Sequence, residues 1–122
     1  MIHFELLRDR GILVITPDGP LEKTDFERLA RAIDPLIASK EKLAGVMVDV
    51  KSFPGWHRFD AFAAHLKFIA DHHRQIERIA VVTDSTFLKI MPRIAELFVL
   101  PKVRHFGLEE KDRALAWLET GR

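Results

Sequence analysis

The sequence predicts a single α/β domain, one mixed sheet opened by a hairpin and layered by helices. Three observations predict it. Short apolar, β-branched runs alternate with longer segments whose apolar residues recur at three- and four-residue steps. Only the turn cluster Arg8-Asp9-Arg10-Gly11 separates the first two runs. The later runs are apolar almost throughout, the pattern of parallel strands covered on both faces.

Met1 to Leu7 places Ile2, Phe4 and Leu6 on one face and His3 and Glu5 on the other, a strand period. Ile12 to Thr16 is β-branched and pairs back as the hairpin partner, and Pro17-Asp18-Gly19-Pro20 ends it. From Thr24, Phe26, Leu29, Ala30, Ile33 and Ile37 form the stripe of a helix that Pro35 should kink or restart. Leu43 to Val50 reads as a strand buried on both faces, with Ser52-Phe53-Pro54-Gly55-Trp56 after it. A helix follows from about Arg58 to His73, then a strand from Ile76 to Thr83. Asp84-Ser85 caps a helix from about Thr86 to Phe98 with a kink at Pro92. Val103 to Phe106 is a short edge strand, and a last helix carries Leu108, Ala114, Leu115 and Leu118 with Trp117 beside them. The order β-β-α-β-α-β-α-β-α implies right-handed crossovers on a mainly parallel sheet. No repeat or linker divides the 122 residues, so one domain spans 1–122.

Composition narrows the function. Nineteen basic against eighteen acidic residues leave a formal charge of +1, too little to attract nucleic acid or an anionic membrane. The absence of cysteine removes thiolate catalysis, disulfides and thiolate metal sites. No basic leader precedes an apolar run, and no apolar segment approaches the ~20 residues of a membrane span. A cytoplasmic protein is expected.

The element order, the loop Phe53-Pro54-Gly55-Trp56, the run Ile76 to Asp84 and the ending Val103-Arg104-His105-Phe106 to Ala116-Trp117-Leu118 resemble the SpoIIAA-like proteins, also described as STAS/Sec14-like. The resemblance covers nearly the whole chain and implies a right-handed β-α superhelix. It also implies a regulatory module, since the family is named for anti-sigma-factor antagonists switched by a phosphorylatable serine in an Asp-Ser-Ser-Gly-like turn. Here that turn reads Val50-Lys51-Ser52-Phe53-Pro54-Gly55-Trp56, with no Ser-Gly pair, so Ser52 reads as an ordinary turn serine.

In open α/β sheets ligands gather at the carboxyl ends of parallel strands. There the sequence places Trp56, His57 and Phe59 after one strand and Asp84, Phe87 and Met91 after the next, an aromatic set with a few polar groups suited to a small apolar ligand or a partner protein. The competing reading is that these aromatics lid the core. On the long central helix, Phe59, Phe62, Ala63, Leu66, Ile69 and Ala70 form the more apolar stripe and are expected on the sheet. Ala61, Ala64, His65, Phe68 and His72 point the other way and are expected either to meet a second copy of the chain or to lie under a neighbouring segment.

Six histidines give no metal set: His65 and His72 lie about 10.5 Å apart along a helix, and Asp49 and Asp84 have no clear third ligand. His57 with Asp84 or Asp49 would supply an acid-base pair, yet no nucleophile elbow or phosphate loop accompanies it. The residues therefore point to a non-catalytic binding or regulatory module without a cofactor. A structural homodimer with a filled cleft is the rival reading, and an enzyme using His57 and Asp84 the third.

Overall fold

A computed structural model describes residues 1–38, 43–52, 55–56 and 58–121, and all of their side chains except those at 37 and 87. Strands β1 (Ile2–Leu7), β2 (Ile12–Pro17), β3 (Leu43–Asp49), β4 (Ile76–Val82) and β5 (Lys102–Phe106) form one sheet in sequence order. The β1–β2 hairpin is antiparallel, and the other three pairings are parallel. Helices α1 (Lys23–Ala38), α2 (Phe59–His72) and α3 (Thr86–Ala95) make the crossovers, and α4 (Lys111–Thr120) closes the described chain. Because the strands advance in one direction and crossovers are right-handed, α1, α2 and α3 share one face of the sheet. The expected α/β architecture is present.

Register sorts the side chains into two cores. Leu13, Val46, Ile79 and Val103 lie opposite one another across four strands, and Leu13 and Val46 join Phe26, Leu29 and Ile33 of α1 in the larger core. Ile12, Met47, Ala80 and Phe106 point to the opposite face, where Ala114, Trp117 and Leu118 of α4 complete the smaller one. Gly45 faces α4 so closely that an added Cβ would stand 2.5 Å from Leu118 Cδ2. Its missing side chain is what lets that helix descend onto β3.

Helix starts follow local chemistry. The Ser85 hydroxyl accepts from Leu88 N at 3.4 Å, the cap expected from the sequence. In the first turn of α1 the device is Asp25, whose carboxylate accepts from Glu22 N at 2.8 Å and from Ile2 N at 3.0 Å. It also pairs with Arg28 at 3.4 Å, tying helix start to edge strand from a position only 3% exposed. Alanine at 25 strands the Ile2 and Glu22 N–H donors, while Arg28 keeps its bond to Ile2 O. A loss on the order of 3 kcal/mol is expected in urea unfolding.

Three expectations need correction in detail. Pro35 does not restart its helix, since α1 continues through it as one element, as α3 does through Pro92. The third expected helix ends at Ala95 and not at Phe98, because Leu97 N and Phe98 N close three-residue turns onto Ile94 and Ala95. The last helix starts at Lys111, after a 3₁₀ turn at Leu108–Glu110.

Candidate functional site

Helix α2 presents the face opposite to the expected one. Ala61 is fully buried and His72 only 5% exposed, while Phe59 is 80% and Leu66 53% exposed. Ala64 and Phe68 pack against the larger core, and Ala63 and Ala70 lie in solvent. Two physical reasons account for the inversion. Helix α2 packs chiefly on α1, and close approach of two helices favours the small residues Ala61 and Ala64 at their seam. The inward polar groups also find partners: His65 Nδ1 accepts from Trp56 Nε1 at 3.1 Å, and His72 Nε2 meets Asp34 Oδ1 at 2.7 Å. Thus Ala61, Ala64, His65, Phe68 and His72, expected to point away from the core and to meet either a second copy or a neighbouring segment, lie buried or half-buried on the side of α2 that packs against α1.

The two histidines do different work. His65 stacks on Phe26 with centroids 4.8 Å apart and planes 17° apart, and accepting from Trp56 fixes its proton on Nε2. Burial drives its pKa from 6.5 down to about 4, so the ring is neutral. His72 faces oxygen at both nitrogens, Phe68 O and Asp34 Oδ1, each at 2.7 Å. It fastens the end of α2 to α1.

Between the two helices lies an open groove of about 440 Å³, with Phe26, Ala30, Ala64 and Phe68 among its lining residues and Lys23, Glu27, Asp60, Lys67 and Asp71 as its charged ones. Ala63 and His72 line it too. Lys67 and Asp71 pair with each other at 2.7 Å, which raises the lysine pKa and lowers that of the carboxylate. The lining exposed to solvent is overwhelmingly apolar. Small side chains at 30, 63 and 64 leave the space, and the half-buried Phe68, tilted 48° against the buried Phe26, lines its floor.

The residues expected at the strand ends are spread out. Trp56 is half-buried, edge-on to Phe62 at 4.7 Å and bonded to His65. Phe59 and Asp84 are exposed, Met91 is half-buried on α3, and none of the four lines the groove. His57, the side chain of Phe87 and the loop residues Phe53 and Pro54 lie outside the described residues. Ser52 is exposed at the end of the β3 segment. Asp49 pairs with Lys111 at 2.9 Å, and among the described residues no three His, Asp or Glu side chains gather around one point. Sequence reasoning missed Phe26 and Ala30 as site residues by assigning both to the core. The signal was present in Asp34 and Trp56, the two polar partners that an inward His72 and His65 require.

No helix among the described residues is long and apolar enough to cross a membrane. Comparison with curated proteins gives no match. The crystal structure of an uncharacterized protein with a SpoIIAA-like fold from Shewanella loihica superposes with a TM-score of 0.77 at 23% identity, covering 97% of this chain and 92% of that one. The SpoIIAA-like family model matches residues 12–119, and with the sheet order and crossovers just described, the chain belongs to the SpoIIAA-like family.

Proposed function

We propose that the chain is a binding module whose groove between α1 and α2 takes a small apolar ligand. The groove carries the reading: its volume of about 440 Å³ lies within the ~300 to 1,000 Å³ of small-molecule sites, and its lining is apolar with charge at the edge. Phe68 supplies the aromatic contact, backed by the buried Phe26, and Trp56 acts one step behind by fixing His65, on which Phe26 rests. Charged side chains at the rim disfavour a purely hydrocarbon molecule lying across it and favour a compact ring or short chain lodged between them.

Filling the groove is the direct test. Ala63 is exposed and Ala30 half-buried, so Ala30→Leu and Ala63→Phe add bulk without entering the core. Thermal-shift titration with fatty, isoprenoid and aromatic compounds should give saturable stabilisation in the wild type, and both variants should weaken the binding at least tenfold (about 1.4 kcal/mol). Equal binding by wild type and variants would move the ligand elsewhere, and no binding at all would end the reading.

A further inference from the structure

Helix α3 is apolar on two sides. Inward, Leu88, Met91 and Ala95 are half-buried and Pro92 buried, and the helix rests on β5 and β4. Outward, Ile90 and Ile94 are exposed at four-residue spacing, and beyond the last turn Leu97, Phe98 and Leu100 are 79%, 78% and 71% exposed. With aromatic side chains of ~150 to 250 Å² and aliphatic ones somewhat smaller, these five residues offer on the order of 600 Å² of apolar surface. That is at the upper end of the ~300 to 600 Å² patch of an ordinary monomer, and with its polar border it approaches the ~800 Å² each partner gives to a standard interface.

The charges beside the stripe specify the occupant. Lys89, Arg93 and Glu96 are exposed, and none of them has an ion-pair partner among the described residues. They lie along one flank of the Ile90, Ile94, Leu97 stripe, two cations toward its start and one anion at its end. Two such helices laid antiparallel about a two-fold axis between residues 93 and 94 set Ile90 against Leu97 of the other copy. The same axis sets Lys89 of each copy opposite position 98 of the other, two residues (about 3 Å along the helix) from Glu96 and within a lysine's reach of it. The two Arg93 meet near the axis, each also within reach of the opposite Glu96. The seam thus sets two Lys89–Glu96 pairs by symmetry, with each Arg93 sharing the opposite Glu96, and a formal charge of +1 per chain adds little repulsion.

We infer that the outward face of α3 and the turn after it form a two-fold interface with a second copy of this chain. This surface is separate from the α1–α2 groove, so the dimer stands or falls independently of ligand binding. Sedimentation equilibrium of the full chain should show a monomer–dimer equilibrium, with Ile94→Glu raising the dissociation constant at least tenfold. Lys89→Glu and Glu96→Lys, both fully on the surface, should each weaken the dimer severalfold, and the double exchange should restore it, with circular dichroism melts confirming that each variant folds. A wild type that stays monomeric up to about 1 mM, a dimer indifferent to Ile94→Glu, or a double exchange no better than the singles would overturn the inference.

Discussion

Alanine at position 45 is expected to cost about 2 kcal/mol of folding free energy, although backbone entropy alone predicts the opposite. In a strand interior, replacing glycine normally stabilises by roughly 0.5 to 1 kcal/mol. Here the new methyl would lie 2.5 Å from Leu118 Cδ2 and 2.9 Å from Leu118 Cβ. The δ-methyl could rotate away, but the Cβ moves only with the backbone of α4, so the helix must lift from β3. Overpacking of this kind costs ~1 to 3 kcal/mol, which exceeds the entropic gain. Leu118 is fully buried in the smaller core, and Leu118→Ala alone should cost ~2 to 5 kcal/mol by emptying it. The decisive measurement is the double-variant cycle in urea. Leu118→Ala would leave the Cβ contact in place, so the cycle uses Leu118→Gly, which removes all three nearest atoms, and Gly45→Ala should cost less than half as much in that background. Additive losses would show that the close approach is not what glycine provides.

Mild acid should unfold this protein earlier than its carboxylates alone would require. The folded chain holds His65 neutral down to about pH 4, whereas the unfolded chain protonates it near 6.5. Between those values the unfolded state binds a proton that the folded state refuses, so stability falls as pH falls. The stabilisation is complete above about 6.5 and lost by about 4, on the order of 3 kcal/mol in all. The cause is burial against Phe26, and the Trp56 N–H aimed at Nδ1 leaves that nitrogen no room to carry a proton. His65→Gln keeps an acceptor for Trp56 and does not titrate. Unfolding free energies at pH 7 and 4.5 should therefore converge far more in the variant than in the wild type. Histidine nitrogen shifts in NMR should place the wild-type titration near pH 4, and an ordinary value near 6.5 would refute the assignment.

Much of the architecture was legible because each element carried its own signal. Two-residue alternation announced β1 and short apolar runs the other strands, the turn cluster at Arg8 to Gly11 gave the hairpin, and Ser85 announced α3 through its cap. The orientation of α2 was not legible from its own sequence, since the helix carries two apolar stripes and amphipathicity favours the richer one. What decided between them was a property of the pair: α1 accepts Ala61 and Ala64 at close range and supplies Asp34 for His72, and the loop supplies Trp56 for His65. Phe59 and Leu66 were left outside as a result. A groove between two helices inherits that difficulty, because its lining becomes visible only after the facing sides are known.

The two tryptophans sit on opposite sides of the sheet, Trp56 against the α1–α2 core and Trp117 on the inner face of α4 beside Phe106. Each layer thus contains its own fluorophore. Indole emission from single-tryptophan variants would report separately on the two halves of the molecule, showing whether the layer with the groove melts together with the one that Gly45 admits or ahead of it.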